Sequence, residues 1–275
     1  MKRLPVLLGA ALALVAAAAP GRAMPRELRV CADPNNLPFS NSAGEGFENK
    51  IVELIAKDLD ASVSYTWWAQ RRGFARNTLK AGLCDLWPGV ATGVETLATT
   101  QPYYRSTYVF LSLADRGIDI SSFDDPRLRS LTVGVQMVGN DATNTPPAHA
   151  LAGRGITSNV RGFSIFGNYT QPNPPAAIVN AVEDGLVDVA VVWGPLAGYF
   201  AANEPKPLAV TLVQPSPGAA LPMAFDISMG VRQGDAAFKR EIEDELQRNR
   251  AAINAILTEY HVPLLPIPAE PEAAH

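Results

Sequence analysis

Aromatic rings and side-chain amides stand where predicted strands end, and they are the residues best suited to bind something. Rings of this kind stack on planar or apolar groups at low entropic cost, while amides donate and accept hydrogen bonds. A small ligand or a peptide segment of a partner could be held in this way. The residues are Asn35, Asn36, Phe39, Trp67, Trp68, Tyr103, Tyr104 and Trp193.

Core packing is the alternative explanation for about half of these aromatic side chains. Trp67 alternates with Tyr65 in a strand pattern, which favours a core position for Trp67 and places Trp68 on the opposite face. Tyr103 and Tyr104 cannot both lie in the core from one strand face. We therefore expect one of these two tyrosines to look into a cleft.

Catalytic chemistry has weaker candidates. Asp33, Asp141 and Asp188 could act as general acids or bases, but Asp33 and Asp188 also suit structural positions at a strand end and in a turn. The three histidines are isolated, and with the two cysteines they make no metal-ligand spacing. The sequence has no phosphate loop and no nucleophile–histidine–acid order. We predict no enzymatic activity, no metal site and no intrinsic cofactor.

The N-terminus has the pattern of a secretory signal peptide. Lys2 and Arg3 precede an uncharged, Ala-rich run over residues 4–19, and Gly21 and Ala23 supply small side chains at a cleavage position. A membrane anchor is the alternative, but the run is shorter than the roughly 20 residues that a spanning helix needs. We predict a signal peptide over residues 1–23, export to the periplasm and no membrane insertion.

The composition is that of a globular protein with an acidic surface. The 275 residues are 47% hydrophobic and 18% charged, which is too apolar for a disordered chain. Removal of residues 1–23 takes away three basic residues and changes the net charge from −4 to −7. Binding to nucleic acid requires clustered cations, so we predict no nucleic-acid partner.

Cys31 and Cys84 are the two cysteines of the chain. An exported protein enters an oxidising compartment, where a pair of this kind tends to form a disulfide. Two buried thiols are the alternative, and they would be favoured if the strand register held the Cα atoms more than about 7 Å apart.

Strand and helix patterns alternate along the chain in two blocks, which predicts an α/β protein with parallel strands and covering helices. Such packing gathers the strand-end loops at one edge, where a ligand crevice is expected. We expect two α/β lobes, residues 24–113 with 222–275 and residues 114–221, joined by a double-crossover hinge near 111–116 and 214–223. The predicted strands cover residues 28–32, 63–67, 84–88, 131–136, 159–163 and 187–193. The predicted helices cover residues 47–59, 72–80, 176–183, a segment that begins at Pro195, and 236–260.

Several of these segments resemble the type II periplasmic solute-binding proteins. The likeness covers essentially the whole chain after residue 23, and it implies the two-lobed fold of that family. It is carried by residues 28–40 (LRVCADPNNLPFS), 46–47 (GF), 82–85 (GLCD), 89 (G), 102–104 (PYY), 133–136 (VGVQ) and 184–188 (DGLVD).

Residues 70–79 (QRRGFARNTL) and 99–106 (TTQPYYRS) are similar to a narrower group. These are the MoxJ/XoxJ-type accessory proteins associated with periplasmic quinoprotein methanol dehydrogenases. The resemblance implies a quinoprotein dehydrogenase as partner, with docking by Arg71 and Arg72, and it adds Gln136 to the cleft. A solvated helix face is the alternative explanation for the arginines, and residues 168–175 are predicted to form an exposed connector.

The departures from the solute-binding family concern charge. Its amino-acid binders hold the ligand carboxylate with an arginine before the Pro-Tyr pair, but residues 89–104 contain none. The position of the acid that would hold the ligand ammonium falls within residues 191–193 (VVW), which contain no acid.

Two hypotheses follow. The first is a non-catalytic accessory factor that helps to mature or activate a PQQ-dependent methanol dehydrogenase, and the second is an ABC-transporter receptor for an unknown small ligand other than an amino acid.

Overall fold

A computed structural model describes residues 26–139, 144–215 and 221–268 of the chain. The predicted signal peptide and Asp141 lie outside these residues. Ten of the described strands form one sheet, and two short strands form a hairpin. The strands are β1 (Arg26–Ala32), β2 (Asn35–Asn36), β3 (Ser40–Asn41), β4 (Ala61–Trp67), β5 (Leu86–Ala91), β6 (Ala98–Thr99), β7 (Tyr104–Leu113), β8 (Val133–Met137), β9 (Val160–Ser164), β10 (Val189–Trp193), β11 (Leu208–Leu212) and β12 (Ala224–Val231).

The helices cover the sheet with apolar faces. Ile51, Val52 and Ile55 recur at helical spacing and are fully buried, which confirms the helix predicted over residues 47–59. Pro195 lies in the first turn of its helix, also as predicted, because that turn needs no N–H from residue 195. The helices are α1 (Phe47–Asp58), α2 (Phe74–Asn77), α3 (Pro146–Gly153), α4 (Ala177–Glu183), α5 (Gly194–Asn203), α6 (Ala236–Arg248) and α7 (Arg250–Glu259).

The sheet has the order β4-β1-β5-β12-β7-β10-β8-β9, with β6 on β12 and β11 on β7. The strands predicted from the alternating pattern do pair in parallel: β1 with β4 and β5, and β8 with β9 and β10. The central strands β7 and β12 are antiparallel to their neighbours, a feature that the alternating pattern does not predict. The two parallel groups are thus two α/β units with a pair of antiparallel strands between them.

Strand β7 belongs to both units. Its first residues, up to Thr107, pair with β12, whereas Tyr108 and the residues after it pair with β10 and β11. This change of partner lies N-terminal to the crossing that the sequence predicts near residues 111–116. The lobe boundaries, residues 24–113 with 222–275 and residues 114–221, stay a prediction.

Each unit has hydrophobic packing on both faces of its strands. In the first unit, α1, α6 and α7 pack on one face of β1, β5 and β12, and a cluster around Phe74 and Leu79 packs on the other. In the second unit, α4 and α5 cover one face, while Phe123, Leu128 and Leu151 cover the other. Buried strands covered on both sides hold the loops at their carboxyl ends in fixed positions.

Three predicted elements differ most from the structure in their bounds. The helix predicted over residues 72–80 is reduced to α2, because Gly73 precedes it in the left-handed region (φ 93°). The strand predicted at residues 84–88 is β5, which begins at Leu86. The helix predicted over residues 236–260 is broken between α6 and α7 at Asn249, whose Nδ2 atom donates hydrogen bonds to Asp58 (2.9 Å) and to the Glu245 carbonyl (3.1 Å).

Across the parts of the chain that the structure describes, no helix combines the length and the apolar character needed to cross a membrane.

Candidate functional site

Two adjoining cavities open beyond the carboxyl ends of β1, β8 and β10. Their volumes are about 420 and about 190 Å³, and we call them the larger and the smaller cavity. Both cavities are lined by Asn36, Phe39, Gln70 and Trp193, so the two lie side by side. A crevice at the carboxyl edge of parallel strands is the usual place for ligands in an open α/β fold.

The side-chain amides of the cleft largely bond to one another and to the backbone. Asn36 Nδ2 donates to Gln70 Oε1 (3.0 Å), and Gln136 Oε1 accepts from the backbone N–H of Trp193 (3.3 Å). These amides therefore line the larger cavity in fixed orientations. Asn35 does not line either cavity, because its side chain bonds to the Gln171 carbonyl (2.9 Å) and the Asn173 N–H (3.1 Å).

Asp33 joins the first unit to the segment after β9. Its carboxylate is 2% exposed and accepts hydrogen bonds from the backbone N–H groups of Asn35 (2.9 Å) and Gln70 (2.6 Å) and from the hydroxyl of Tyr169. Burial, followed by this bond to Asp33, raises the pKa of Tyr169. Residues 168–175 are therefore more than the exposed connector that the sequence suggested, and Asp33 has a structural role.

Aromatic rings form the apolar walls. The Trp193 ring lies 5.3 Å from the Tyr108 ring and 6.0 Å from the Phe225 ring, both edge-on, at the end of β10. Phe39 comes from the β2–β3 hairpin and contacts Phe47 edge-on at 5.4 Å. Burial raises the pKa of Tyr108 to about 12, so its hydroxyl stays neutral.

Tyr103 and Tyr104 are both buried, at 9% and 3% exposure, with ring centroids 4.9 Å apart. Tyr104 lines the smaller cavity, whereas Tyr103 lines neither cavity of the cleft. The Tyr103 hydroxyl donates to the Pro88 carbonyl (3.0 Å), and its N–H donates to the Ile227 carbonyl (2.9 Å). Tyr103 is thus a core residue directly before β7, which contacts Tyr104 but does not line the cleft.

Glu48 is a residue of the cleft that the sequence interpretation missed. It lies in the first turn of α1, is 6% exposed and lines the smaller cavity with Tyr104, Trp193 and Gly89. Burial, with a smaller contribution from Asp33, raises the pKa of Glu48 to about 8. The sequence does indicate a buried position for residue 48. It precedes Ile51, Val52 and Ile55 by three, four and seven positions, which places it on the same apolar face of the helix.

Trp68, Arg71 and Arg72 lie on the surface after β4, and none of them lines either cavity. Trp68 is 45% exposed, which places it outside the core. The Arg71 guanidinium stacks over the Tyr169 ring at 4.4 Å from the ring centroid. We call Trp68, Arg71 and Arg72 together the rim surface.

Cys31 and Cys84 form the predicted disulfide, with Cα atoms 5.5 Å apart. Both residues are fully buried in the first unit, among Phe74, Leu79 and Val90. Strand register therefore does not separate them, and the alternative of two free thiols is wrong.

Asp188, the third catalytic candidate, is part of a structural ion pair. Its carboxylate accepts hydrogen bonds from Arg116 and from the backbone N–H of Thr132 (2.6 Å). Among the described residues, no group of three or more His, Cys, Asp or Glu side chains is placed to hold a metal ion. The cleft chemistry that remains is binding by aromatic walls, amides and the Glu48 carboxyl group.

Comparison with known proteins gives relatives over nearly the full length. The chain is 32% identical to Protein MoxJ of Paracoccus denitrificans over 275 residues, with 94% of this chain and 96% of that protein covered. It is 34% identical to Protein MoxJ of Methylorubrum extorquens over 253 residues, with 87% and 82% covered. No protein-family model matches the sequence.

The solved structures show the same fold. The periplasmic binding protein XoxJ from Methylobacterium extorquens AM1 superposes with a TM-score of 0.73 at 35% identity, covering 87% of this chain and all of that chain. An ancestral cationic amino acid solute-binding protein superposes with a TM-score of 0.66 at 20% identity, covering 86% and 95%, and this likeness concerns the fold alone. The chain has the α/β fold of the type II periplasmic binding proteins.

Proposed function

Because the chain belongs to the MoxJ family, we propose that it is a periplasmic, non-catalytic accessory factor that docks on a PQQ-dependent methanol dehydrogenase. In this proposal the binding-protein fold serves as a recognition surface, and docking helps to mature or activate the dehydrogenase during methanol oxidation. The observation that carries the proposal is the rim surface, where an exposed tryptophan lies beside two exposed arginines.

The charge around the rim surface contrasts with that of the whole chain. Residues 61–84 contain four basic residues and no acidic residue, although the chain carries a net charge of −4. Tryptophan and arginine are the residue types that dominate binding energy at protein interfaces. A basic segment with an exposed aromatic ring suits an acidic surface on the partner, whose approach it would accelerate.

A rigid base supports this surface. The backbone N–H of Trp68 donates to the Ala32 carbonyl (2.9 Å), and Thr66 Oγ1 donates to the Leu83 carbonyl (2.9 Å). The Cys31–Cys84 disulfide anchors strand β1. Docking would therefore require little ordering of the chain, which keeps its entropic cost low.

Capture of the purified dehydrogenase by the immobilised chain tests the proposal. We expect the double variant Trp68→Ala, Arg72→Glu to weaken binding by about tenfold or more, and rising salt to weaken wild-type binding. The control matched in charge is Arg240→Glu, which makes the same single charge reversal at an exposed arginine of α6 outside the rim surface. Equal binding by the rim and control variants, or no binding by the wild type, would count against docking through this surface.

The cleft supports a second candidate function, an ABC-transporter receptor for a small ligand that is not an amino acid. The described walls of both cavities contain no arginine, so an α-carboxylate has no cation to pair with there. Native mass spectrometry of protein isolated from the periplasm separates the two candidates. A bound small molecule without capture of the dehydrogenase would favour the receptor.

A further inference from the structure

The Glu48 side chain is a buried acid that faces a cavity. It reaches from α1 into the smaller cavity and packs against the backbone of β5 at Gly89. A Cβ atom at residue 89 would lie 2.0 Å from Glu48 Oε1, so glycine is what leaves room for the carboxyl group. No described side chain forms a salt bridge with Glu48. The acid therefore has space before it and no cation of its own.

The walls of the smaller cavity suit a cation. Phe39, Tyr104 and Trp193 present three aromatic side chains around the volume of about 190 Å³, and Asn36 and Gln70 add amides. Aromatic faces attract cations through their quadrupole, and the attraction increases when the site is dry. A carboxylate at the base of such a cage supplies the opposite charge.

We propose that the smaller cavity, with Glu48 at its base, binds a small organic ammonium ion that carries a short alkyl chain. The ammonium group pairs with the Glu48 carboxylate, and the alkyl chain lies against Phe39 and Trp193. The larger cavity gives the ligand its way in, since the two cavities share walls. This binding is separate from docking through the rim surface, so either proposal can fail alone.

The same geometry rejects a zwitterion. An α-carboxylate in the smaller cavity would be repelled by Glu48 and by Asp33, whose charge acts on Glu48. The other titratable side chains that Glu48 influences are Tyr65, Tyr103 and Tyr104, and the pKa of each is raised chiefly by burial, so they supply no cation. A neutral alcohol of the same shape would lose the charge pairing.

Protonation links binding to pH. The pKa of Glu48 is raised to about 8, so the free carboxyl group is largely protonated at neutral pH. An ammonium ion stabilises the ionised form, and binding must then release a proton. Affinity should rise with pH to about 8, level off once the free carboxyl group is ionised, and fall where the alkylammonium itself loses its proton, near the ~10.4 of a lysine side chain.

Isothermal titration calorimetry with three probes tests the proposal. The probes are n-butylammonium, n-butanol as its neutral analogue, and norvaline, which is the same amine with an α-carboxylate. At about pH 8 we expect n-butylammonium to bind at least about tenfold more tightly than either other probe. Titration at lower pH in buffers of different ionisation enthalpy should show close to one proton released per cation bound.

Variants assign the binding to Glu48. Glu48→Gln keeps the side-chain shape and should lose both the preference for n-butylammonium and the proton release. Glu53→Gln, on the exposed face of the same helix, should keep both. Thermal unfolding of each variant checks that it is folded, and Glu48→Met, which also removes the carboxyl group, is the second variant if Glu48→Gln fails to fold. Three outcomes would overturn the proposal: no n-butylammonium binding to the wild type, equal binding of n-butanol, or unchanged binding by the folded Glu48 variant.

Discussion

The hydroxyl of Tyr169 donates a hydrogen bond to the carboxylate of Asp33, 136 residues away in the sequence. Asp33 follows β1 in the first unit, and Tyr169 lies after β9 in the second. Arg71 adds a cation–π contact to the same tyrosine ring, and Asn35 bonds to the backbone of residues 171 and 173. Together these contacts hold the segment from Tyr169 to Asn173 against the first unit and cover one side of the larger cavity.

Loss of the Tyr169 hydroxyl should loosen this contact. A hydrogen bond to a charged acceptor contributes about 1.5–3 kcal/mol, and Tyr169→Phe leaves the buried Asp33 carboxylate with two donors instead of three. We expect a lower melting temperature and a larger radius of gyration by small-angle scattering. Tyr199→Phe is the control, because no described residue bonds to the Tyr199 hydroxyl. An equal effect of the two variants would show that the Asp33 contact does not hold the units together.

The disulfide should contribute a large share of the stability of the first unit. Cys31 and Cys84 are separated by 53 residues, and closing a loop of that length is worth about 4 kcal/mol when only chain entropy is counted. We expect reduction, or the variant Cys31→Ala, Cys84→Ala, to lower the free energy of unfolding in urea by roughly this amount. Reductant should leave the double variant unchanged. A double variant as stable as the oxidised wild type would contradict the prediction.

The sequence predicts much of this molecule where the cause is local. The spacing of Ile51, Val52 and Ile55 fixes α1, and the run of apolar residues before Trp193 fixes β10 and the edge of the cleft. The disulfide follows from the number of cysteines and the expected compartment. These features need no knowledge of distant contacts.

The sequence prediction lacks two features of the site. The Tyr169–Asp33 hydrogen bond depends on a contact between distant segments, and Glu48 is an acidic residue on an otherwise apolar helix face. Nothing near residue 169 in the sequence indicates that Tyr169 bonds to Asp33, because the partner comes from another unit. Glu48 interrupts an apolar helix face, and that exception can be read from the sequence alone. Helix α2 is shorter than predicted because Gly73, directly before it, has a left-handed backbone conformation. That conformation is set by the surrounding loop and not by the helix pattern.

Replacement of Gly89 should disturb the Glu48 cavity directly. The added methyl group of Gly89→Ala would meet Glu48 Oε1 at 2.0 Å, so the carboxyl group or the β5 backbone must move. Overpacking of this kind costs about 1–3 kcal/mol. We expect lower stability in urea and weaker n-butylammonium binding. Gly153→Ala, in α3, where an added Cβ has no neighbour within 4 Å, is the control and should lower neither quantity. Unchanged stability and unchanged cation binding in Gly89→Ala would show that the two residues are not packed as described.

The buried Glu48 carboxyl group should also make the free protein less stable as the pH rises. Its pKa is raised from the ordinary value of 4.5 to about 8 in the folded chain, so the folded state binds the proton more tightly than the unfolded state. The protonated carboxyl group stabilises the folded state fully below about pH 4.5. This contribution is lost as the pH rises to about 8, because the carboxyl group ionises readily in the unfolded chain but not in its buried position. A shift of this size corresponds to several kcal/mol.

Urea unfolding of the wild type and of Glu48→Gln at about pH 5, 6.5 and 8 measures this effect, since the glutamine does not titrate. Other groups, such as Glu204, whose pKa is raised to about 7 by partial burial and by Glu183, cancel in the difference between the two proteins. We expect that difference to shift in favour of the glutamine variant as the pH rises. n-Butylammonium should reverse part of the shift in the wild type alone, because it pairs with the ionised carboxylate. A difference that stays constant across this pH range would show that Glu48 titrates as an ordinary surface carboxylate.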